Sequence, residues 1–275
     1  MPCVLSVIIP ASNEAGYIGD CLRHLCASDA PVVQVIVVAN GCRDATADVA
    51  RAALAAHLPQ GWSGEVLELA QGSKPVALNA GDAAAVHPLR VYLDADVTVS
   101  PGLLSALGAA LAGDAPRYAS GTPVIPRARS AVTRAYARFW QRLPFNRTAA
   151  PGYGLFAVNA AGRARWGAFP AIISDDTFVR LQFAPEERVQ VPAPYHWPMI
   201  EGFAALVRVR RRQDAGVREL QALHPGLMAR EGKPPLGRAA LLRLALADPA
   251  GFATYAAVSL AVRTKRGDTA FTRGR

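Results

Sequence analysis

Two runs decide the fold: Val4-Leu-Ser-Val-Ile-Ile-Pro10 and Val32-Val-Gln-Val-Ile-Val-Val38. Each is almost unbroken in apolar residues, the pattern of a strand covered on both faces in a parallel sheet. Val66–Leu69 and Leu89–Leu93 are shorter candidates of the same kind. Between the runs lie helical segments with start signals. Asp44 precedes Ala45–His57 as a capping residue, and Ser73 precedes Pro75–Val86 with its proline in the first turn. Ser100 and Pro101 open Gly102–Leu111 in the same way. Strand and helix alternating over short connections predict right-handed βαβ units on a twisted sheet, an α/β fold.

Beyond Ala112 the pattern loosens, with proline and glycine at Pro123, Pro126, Pro144, Pro151–Gly154, Pro192, Pro194 and Pro198. A helix-like Arg238–Ala247 and an apolar Phe252–Val262 follow, the latter too short to span a bilayer. Two alternatives stand for it, packing on the core or lying in a membrane interface. Of the 275 residues, 51% are hydrophobic and 19% charged, which excludes a disordered chain and predicts a large core. No transmembrane span and no signal peptide are expected.

The net charge of +9 is uneven. Residues 1–112 hold 5 basic and 10 acidic side chains, and the remainder holds 25 and 11. The chain has no helix-turn-helix, zinc-finger or RNP-like pattern to accompany the basic half. Nucleic acid is therefore not an expected partner, whereas an anionic membrane surface or a phosphorylated substrate is. Cys3, Cys21, Cys26 and Cys42 form no C-x-x-C pair. They read as small buried hydrophobes in a reducing compartment, so a cytoplasmic location is expected, with the inner membrane face as a peripheral site.

Asp94-Ala-Asp96 carries the chemistry. It falls where the Leu89–Leu93 strand ends, at the sheet edge where ligands of open α/β folds bind. Residues two apart on a strand share a face, so both carboxylates are expected to converge on one site. Hard oxygen donors of this type suit Mg²⁺ or Mn²⁺ shared with substrate phosphates, two solvated loop aspartates being the alternative.

Four motifs together resemble the family 2 glycosyltransferases: Ser6-Val-Ile-Ile-Pro-Ala-Ser-Asn-Glu14, Val38-Ala-Asn-Gly-Cys-Arg-Asp-Ala-Thr46, Gly72-Ser-Lys-Pro-Val-Ala-Leu-Asn79 and Asp94-Ala-Asp96. The resemblance implies a GT-A fold, a Rossmann-like and mainly parallel twisted sheet flanked by helices, with a basic helical C-terminal segment. It implies a metal-dependent, inverting transfer from a nucleotide-diphosphate sugar to a hydroxyl acceptor, whether saccharide, lipid-linked or small molecule. Residues 1–200 are expected to form the catalytic domain, with a nucleotide-sugar half (1–112) and an acceptor half (113–200). Residues 201–275 are expected as the basic extension.

By the same resemblance Pro10, Ala11, Asn13 and Glu14 cradle the nucleotide, with Asn40, Lys74 and Asn79. Ala39 stands where the family usually has a uracil-contacting aspartate, which leaves the base open. Asp94 takes a ribose or metal role and Asp96 ligates the metal. Gly152 and Gly154 resemble a glycine-rich cleft lining whose missing side chains admit the sugar, an ordinary turn being the alternative. Phe169-Pro-Ala-Ile-Ile-Ser-Asp-Asp-Thr-Phe-Val-Arg-Leu181 resembles the family's catalytic acidic segment, which makes Asp176 the base and Asp175 its companion. Simple first-turn acids of a helix are the alternative.

Arg208, Arg211 and Arg212, with Arg210, stand where members often carry Gln-x-x-Arg-Trp. They would contact the diphosphate or form a solvated helix face. The absence of that motif argues against a processive synthase. His196 or His224 completes a metal site in a retaining alternative, or is structural. The Arg129–Arg142 stretch, with Tyr136, Phe139 and Trp140, is expected to meet the acceptor near a membrane. A non-catalytic nucleotide-sugar-binding module remains the alternative to an enzyme. A dehydrogenase is excluded by the missing G-x-G-x-x-G, and a nucleotidyltransferase by an acidic, glycine-poor Pro10–Gly16 loop.

Overall fold

A computed structural model describes residues 4–147 and 150–264. The chain runs β1 (Val4–Ala11), α1 (Ile18–Cys26), β2 (Val32–Asn40), α2 (Thr46–His57), β3 (Ser63–Leu69), α3 (Lys74–Ala84) and β4 (Leu89–Leu93). It continues with β5 (Thr98–Val99), α4 (Leu103–Ala110), β6 (Tyr118–Val124), α5 (Ala131–Trp140), β7 (Leu155–Val158), α6 (Ala160–Arg163), α7 (Asp175–Arg180) and β8 (Arg188–His196). It ends with α8 (Phe203–Leu223), α9 (Pro225–Met228), α10 (Arg238–Ala247) and α11 (Pro249–Thr264).

The strands form one sheet in the order β3-β2-β1-β4-β7-β6-β8-β5. From β3 through β4 the pairings are parallel, as βαβ connections require. β7 then joins β4 antiparallel, with Leu93 opposite Leu155. β1 and β2 are central, and Val7, Ile8, Ile9, Val35, Ile36 and Val37 have no exposed surface. That accounts for their unbroken apolar runs, each such side chain contributing roughly 1.5–3 kcal/mol by burial. Ile18, Cys21, Leu22 and Leu25 give α1 one apolar face that packs on this core.

Capping at α2 differs from expectation. The helix starts at Thr46, and Asp44 sits one residue too early to be its N-cap. Instead its carboxylate takes N–H bonds from Thr46 and from Ala15, both at 3.2 Å. Thr46 Oγ1 in turn accepts the Glu14 N–H at 2.7 Å. Asp44 and Thr46 thus fasten the loop after β1 to the head of α2.

The chain divides into two compact units. One holds the chain up to Val124, the segment ending at Ala171, and Asp175–Trp197; the other holds the segment starting at Ile125, Ile172–Ser174, and the chain from Pro198. The 113–200 stretch is thus shared between them, because α5 finds its apolar partners on α8 and α11 within the second unit. Tyr136 stacks on Tyr255 with ring centroids 5.5 Å apart, and Phe139 meets Phe252 and Tyr255. Tyr136 and Phe139 are therefore core residues of this unit, since burying them outweighs leaving them on a surface, while Trp140 is half-buried at its edge.

Asp248 closes this unit. It accepts two bonds of 2.7 Å from Arg138 and the Gly251 N–H at 3.0 Å, with Pro249 at the first helical position of α11. Asp248→Ala is expected to lower stability by about 1 kcal/mol at neutral pH through the lost cap. The hydrogen bonds from Arg138 hold the Asp248 carboxyl below its usual range. Its contribution is therefore present above the unfolded pKa and is lost as pH falls through the folded one. Urea unfolding at neutral and at acidic pH checks this: the variant and the parent should converge in acid.

Candidate active site

The site grows from the carboxyl ends of the central strands. β4 ends at Leu93, and the Asp94 N–H donates to the Gly154 carbonyl at 2.8 Å. This bond carries the β4–β7 ladder one step further and sets the first aspartate beside the glycine-rich segment. Beyond Asp94 the chain turns, with the Val97 N–H on the Asp94 carbonyl at 3.1 Å. Asp94 and Asp96 are thus arranged by a turn, so strand alternation is not what relates them. Asp94 lines the cleft; Asp96, half-buried, has its Oδ1 buried. The two remain neighbours electrostatically: burial, then Asp96 and Asp94, all push the Cys21 thiol upward.

Lys74 comes from the head of α3. Just before it, the Ser73 N–H donates to Asn40 Oδ1 at 3.0 Å, while Asn40 Nδ2 donates to the Ala11 carbonyl at 2.9 Å and the Val38 carbonyl at 3.3 Å. A buried Asn40 thereby joins the ends of β1 and β2 to the start of α3. Its amide is committed to backbone, so it is a fastening rather than the expected nucleotide contact. Asn79 is similar. It accepts the Phe169 N–H at 2.7 Å and donates to the Phe169 carbonyl at 3.1 Å. Asp82, further along α3, takes Arg163 Nε at 2.9 Å and the Tyr92 hydroxyl at 2.7 Å.

Lys74 Nζ lies 2.9 Å from Asp94 Oδ1 and 3.2 Å from Asp175 Oδ2. Burial disfavours this ammonium, but Asp175, Asp94 and Asp176 outweigh it and raise its pKa. Asp175 is itself buried. Burial pushes its carboxyl up to about 6 against the opposing pull of Lys74, with Asp176 and Asp94 adding to the rise. Asp176 is half-buried and lines the cleft, and its Oδ1 accepts the Thr177 N–H at 2.6 Å. Pro10, Tyr92, Gly152, Gly154 and Phe156 complete the walls of about 280 Å³ of open space.

Both glycines have left-handed backbones, φ 75° at Gly152 and 66° at Gly154. A Cβ at Gly152 would fall on the Tyr118 hydroxyl, and one at Gly154 would lie 2.8 Å from Val97 and 2.9 Å from Trp197. Their lack of side chains is thus demanded by neighbouring protein groups, a stronger constraint than room for a sugar. The stacked pair Tyr92 and Phe156 lines the cleft and was not readable as a site element; Tyr118 stacks on Phe156 in turn, and Tyr153 stacks on Trp197 at 5.1 Å. Nothing local marks Tyr118; only the β6–β7 pairing carries it beneath Gly152.

The remaining expected residues fall elsewhere. Ala11 is buried, and the Glu14 N–H is taken by Thr46. Asn13, at φ 55°, accepts the Arg43 N–H at 2.7 Å, and its buried Nδ2 has no acceptor among the described residues. Arg208, Arg211 and Arg212 lie on α8 in the second unit; Arg211 donates to the Ala261 carbonyl at 2.6 Å and so caps the last turn of α11. His196 is exposed on β8, its ring 3.4 Å from the Thr98 hydroxyl. His224 ends α8. Among the described residues no three His, Cys, Asp or Glu side chains gather as a metal site.

A parallel β3-β2-β1-β4 half, an antiparallel β7 and an acidic cleft at the strand ends define the GT-A class of glycosyltransferases. The chain belongs to glycosyl transferase family 2, whose sequence profile matches residues 6–165. Among solved structures it is similar to the mannosyltransferase PcManGT of Pyrobaculum calidifontis in complex with GDP-Man and Mn²⁺ (22% identity, TM-score 0.59, covering 96% of this chain and 76% of that one). It is similar to S. aureus TarS in complex with UDP-GlcNAc (16%, 0.55, 94% and 81%). It also resembles glucosyl-3-phosphoglycerate synthase of Mycobacterium tuberculosis in complex with Mn²⁺, UDP and glucosyl-3-phosphoglycerate (20%, 0.55, 85% and 82%). Compared with the curated proteins, the sequence has no match.

Proposed function

We propose that this glycosyltransferase moves a sugar from a nucleotide-diphosphate donor to an acceptor hydroxyl with inversion at the anomeric carbon, Asp176 acting as base. The observation that carries the reading is the Lys74 ammonium held between Asp94 and Asp175 in a cleft that also presents Asp176. One cation faces three carboxylates there. A diphosphate entering such a site needs further positive charge, since unpaired like charges are costly where water is scarce.

Asp94 and Asp96 offer the hard oxygen donors that Mg²⁺ or Mn²⁺ prefers. Such ions take one or two protein carboxylates and fill their remaining positions with phosphate oxygens and water. A three-ligand protein cage is therefore not required. Bound there, the ion supplies charge stabilisation to the diphosphate.

The chain's own residues do the rest. Asn40 and Asn79 fix α3, α3 fixes Lys74, and Lys74 holds Asp94 and Asp175 at set positions. Asp176, oriented by the Thr177 N–H, accepts the acceptor's proton. The acceptor oxygen forms its bond to the anomeric carbon on the face opposite the diphosphate. The old carbon–oxygen bond breaks, and its electron pair leaves with the phosphate. Acceptor classes that fit are saccharides, lipid-linked molecules and small hydroxylated molecules.

Thermal unfolding with UDP or GDP, with and without Mn²⁺, tests this. Saturation near 100 Kd is expected to stabilise the fold by about 2.7 kcal/mol. The increment should depend on Mn²⁺ and disappear in Asp96→Asn. Equal stabilisation without metal, or in that variant, would refute the assigned metal role.

A further inference from the structure

The helix α10 reads Arg238-Ala-Ala-Leu-Leu-Arg-Leu-Ala-Leu-Ala247, yet none of its residues is buried. A helix that is apolar nearly all round is ordinarily an interior element. Here Leu242 is 61% exposed and Leu246 72%. At 3.6 residues per turn the two leucines share the centre of one arc, with Arg238 on one flank and Arg243 on the other. Both arginines are exposed. The nearest acid in sequence, Asp248, is buried, held by Arg138 and spent on the Gly251 N–H. The outward arc of α10 thus presents leucine framed by guanidinium, with no carboxylate.

We infer that α10 docks this protein on an anionic lipid surface, lying in the interface with Leu242 and Leu246 inserted and Arg238 and Arg243 among the phosphates. Charge complementarity selects this occupant. The arginine stems extend the apolar strip while their heads reach the phosphate layer, an arrangement that suits lipid. A second copy of the same arc would bring guanidiniums toward guanidiniums and offer no compensating acid. The helix is about 15 Å long, which suits lying on a bilayer and not crossing it. Among the described residues no helix is long and apolar enough to span. The inference is independent of the chemistry in the cleft.

Co-sedimentation of the full chain with vesicles tests it. Binding is expected to vesicles containing phosphatidylglycerol, to weaken with added salt, and to be slight on phosphatidylcholine alone. The Leu242→Glu/Leu246→Glu variant should partition about 100-fold less, from two lost insertions. Arg238→Gln and Arg243→Gln should each cost about fivefold on anionic vesicles only. As an independent readout, a polarity-sensitive dye on Leu246→Cys should shift to the blue on anionic vesicles. Failure of the parent to partition, an unchanged partition in the leucine variant, no dye shift, or an α10-dependent dimer in light scattering would each overturn the proposal.

Discussion

Asp176→Asn is expected to lower kcat by about 10²–10⁴-fold while leaving nucleotide-diphosphate affinity within a small factor. The two aspartates that open α7 differ in surroundings, and the proposed roles rest on that difference. Asp175 is buried and lies 3.2 Å from Lys74, with its carboxyl pushed up to about 6 by burial. On the proposed reading it is the counter-charge to Lys74, at the cleft wall but almost wholly buried. Asp176 lines the cleft and is aimed by the Thr177 N–H. Asparagine keeps the size and the acceptor oxygen for that N–H but cannot take a proton. The loss should therefore appear in turnover and not in binding, which single-turnover kinetics beside calorimetric titration with UDP or GDP separates. A large drop in nucleotide affinity with kcat retained would remove Asp176 from the chemistry. A protein with no turnover in either form, yet tight nucleotide binding, would favour a binding module.

The second large effect concerns stability. Gly152→Ala is expected to destabilise the fold by about 2–4 kcal/mol. Part is the left-handed backbone, roughly 1–2 kcal/mol for a residue with a Cβ. The rest is overpacking, because that Cβ would fall on the Tyr118 hydroxyl. Tyr118 is wholly buried, and among the described residues its hydroxyl has no hydrogen-bond partner. Tyr118→Phe should accordingly be neutral or stabilising, since it removes an unsatisfied buried polar atom. It should also rescue Gly152→Ala in part, because the next Tyr118 atom, Cζ, lies 3.4 Å from the added carbon. Denaturant unfolding of the four proteins in a double-mutant cycle measures the coupling. Additive effects would show that the hydroxyl is not the obstacle.

The parallel half of the fold was legible because its information is local. β4 spans Leu89–Leu93 as the apolar run implied, and α10 spans Arg238–Ala247 as its composition implied. Burial on both faces writes itself into consecutive apolar residues, as in β1 and β2. Helix starts were less legible. Asp44 has a capping residue's chemistry, but tertiary bonds to Ala15 and Thr46 claimed it. The long α8 showed only as an arginine cluster, since its sparse buried positions, Leu206, Val207, Gly216 and Leu220, leave little periodic signal.

The site was readable in part. Pro10, Lys74, Asp94, Gly152, Gly154, Asp175 and Asp176 do line one cleft. Asn40 and Asn79 sit in equally recognisable motifs but serve backbone partners 29 and 90 residues away. No sequence pattern separates an asparagine that meets a ligand from one that fastens two loops.

By itself the amino-acid order determined the βαβ half, the acidic pair at the end of β4 and the family to which the chain belongs. These follow from short-range periodicity and from residue types at fixed spacing. The tertiary structure alone decided that Lys74 stands between Asp94 and Asp175, that Tyr118 forbids a side chain at Gly152, and that Tyr136 and Phe139 of α5 turn inward. Those outcomes depend on pairings between residues far apart in the chain, and their energies exist only once the partners have met.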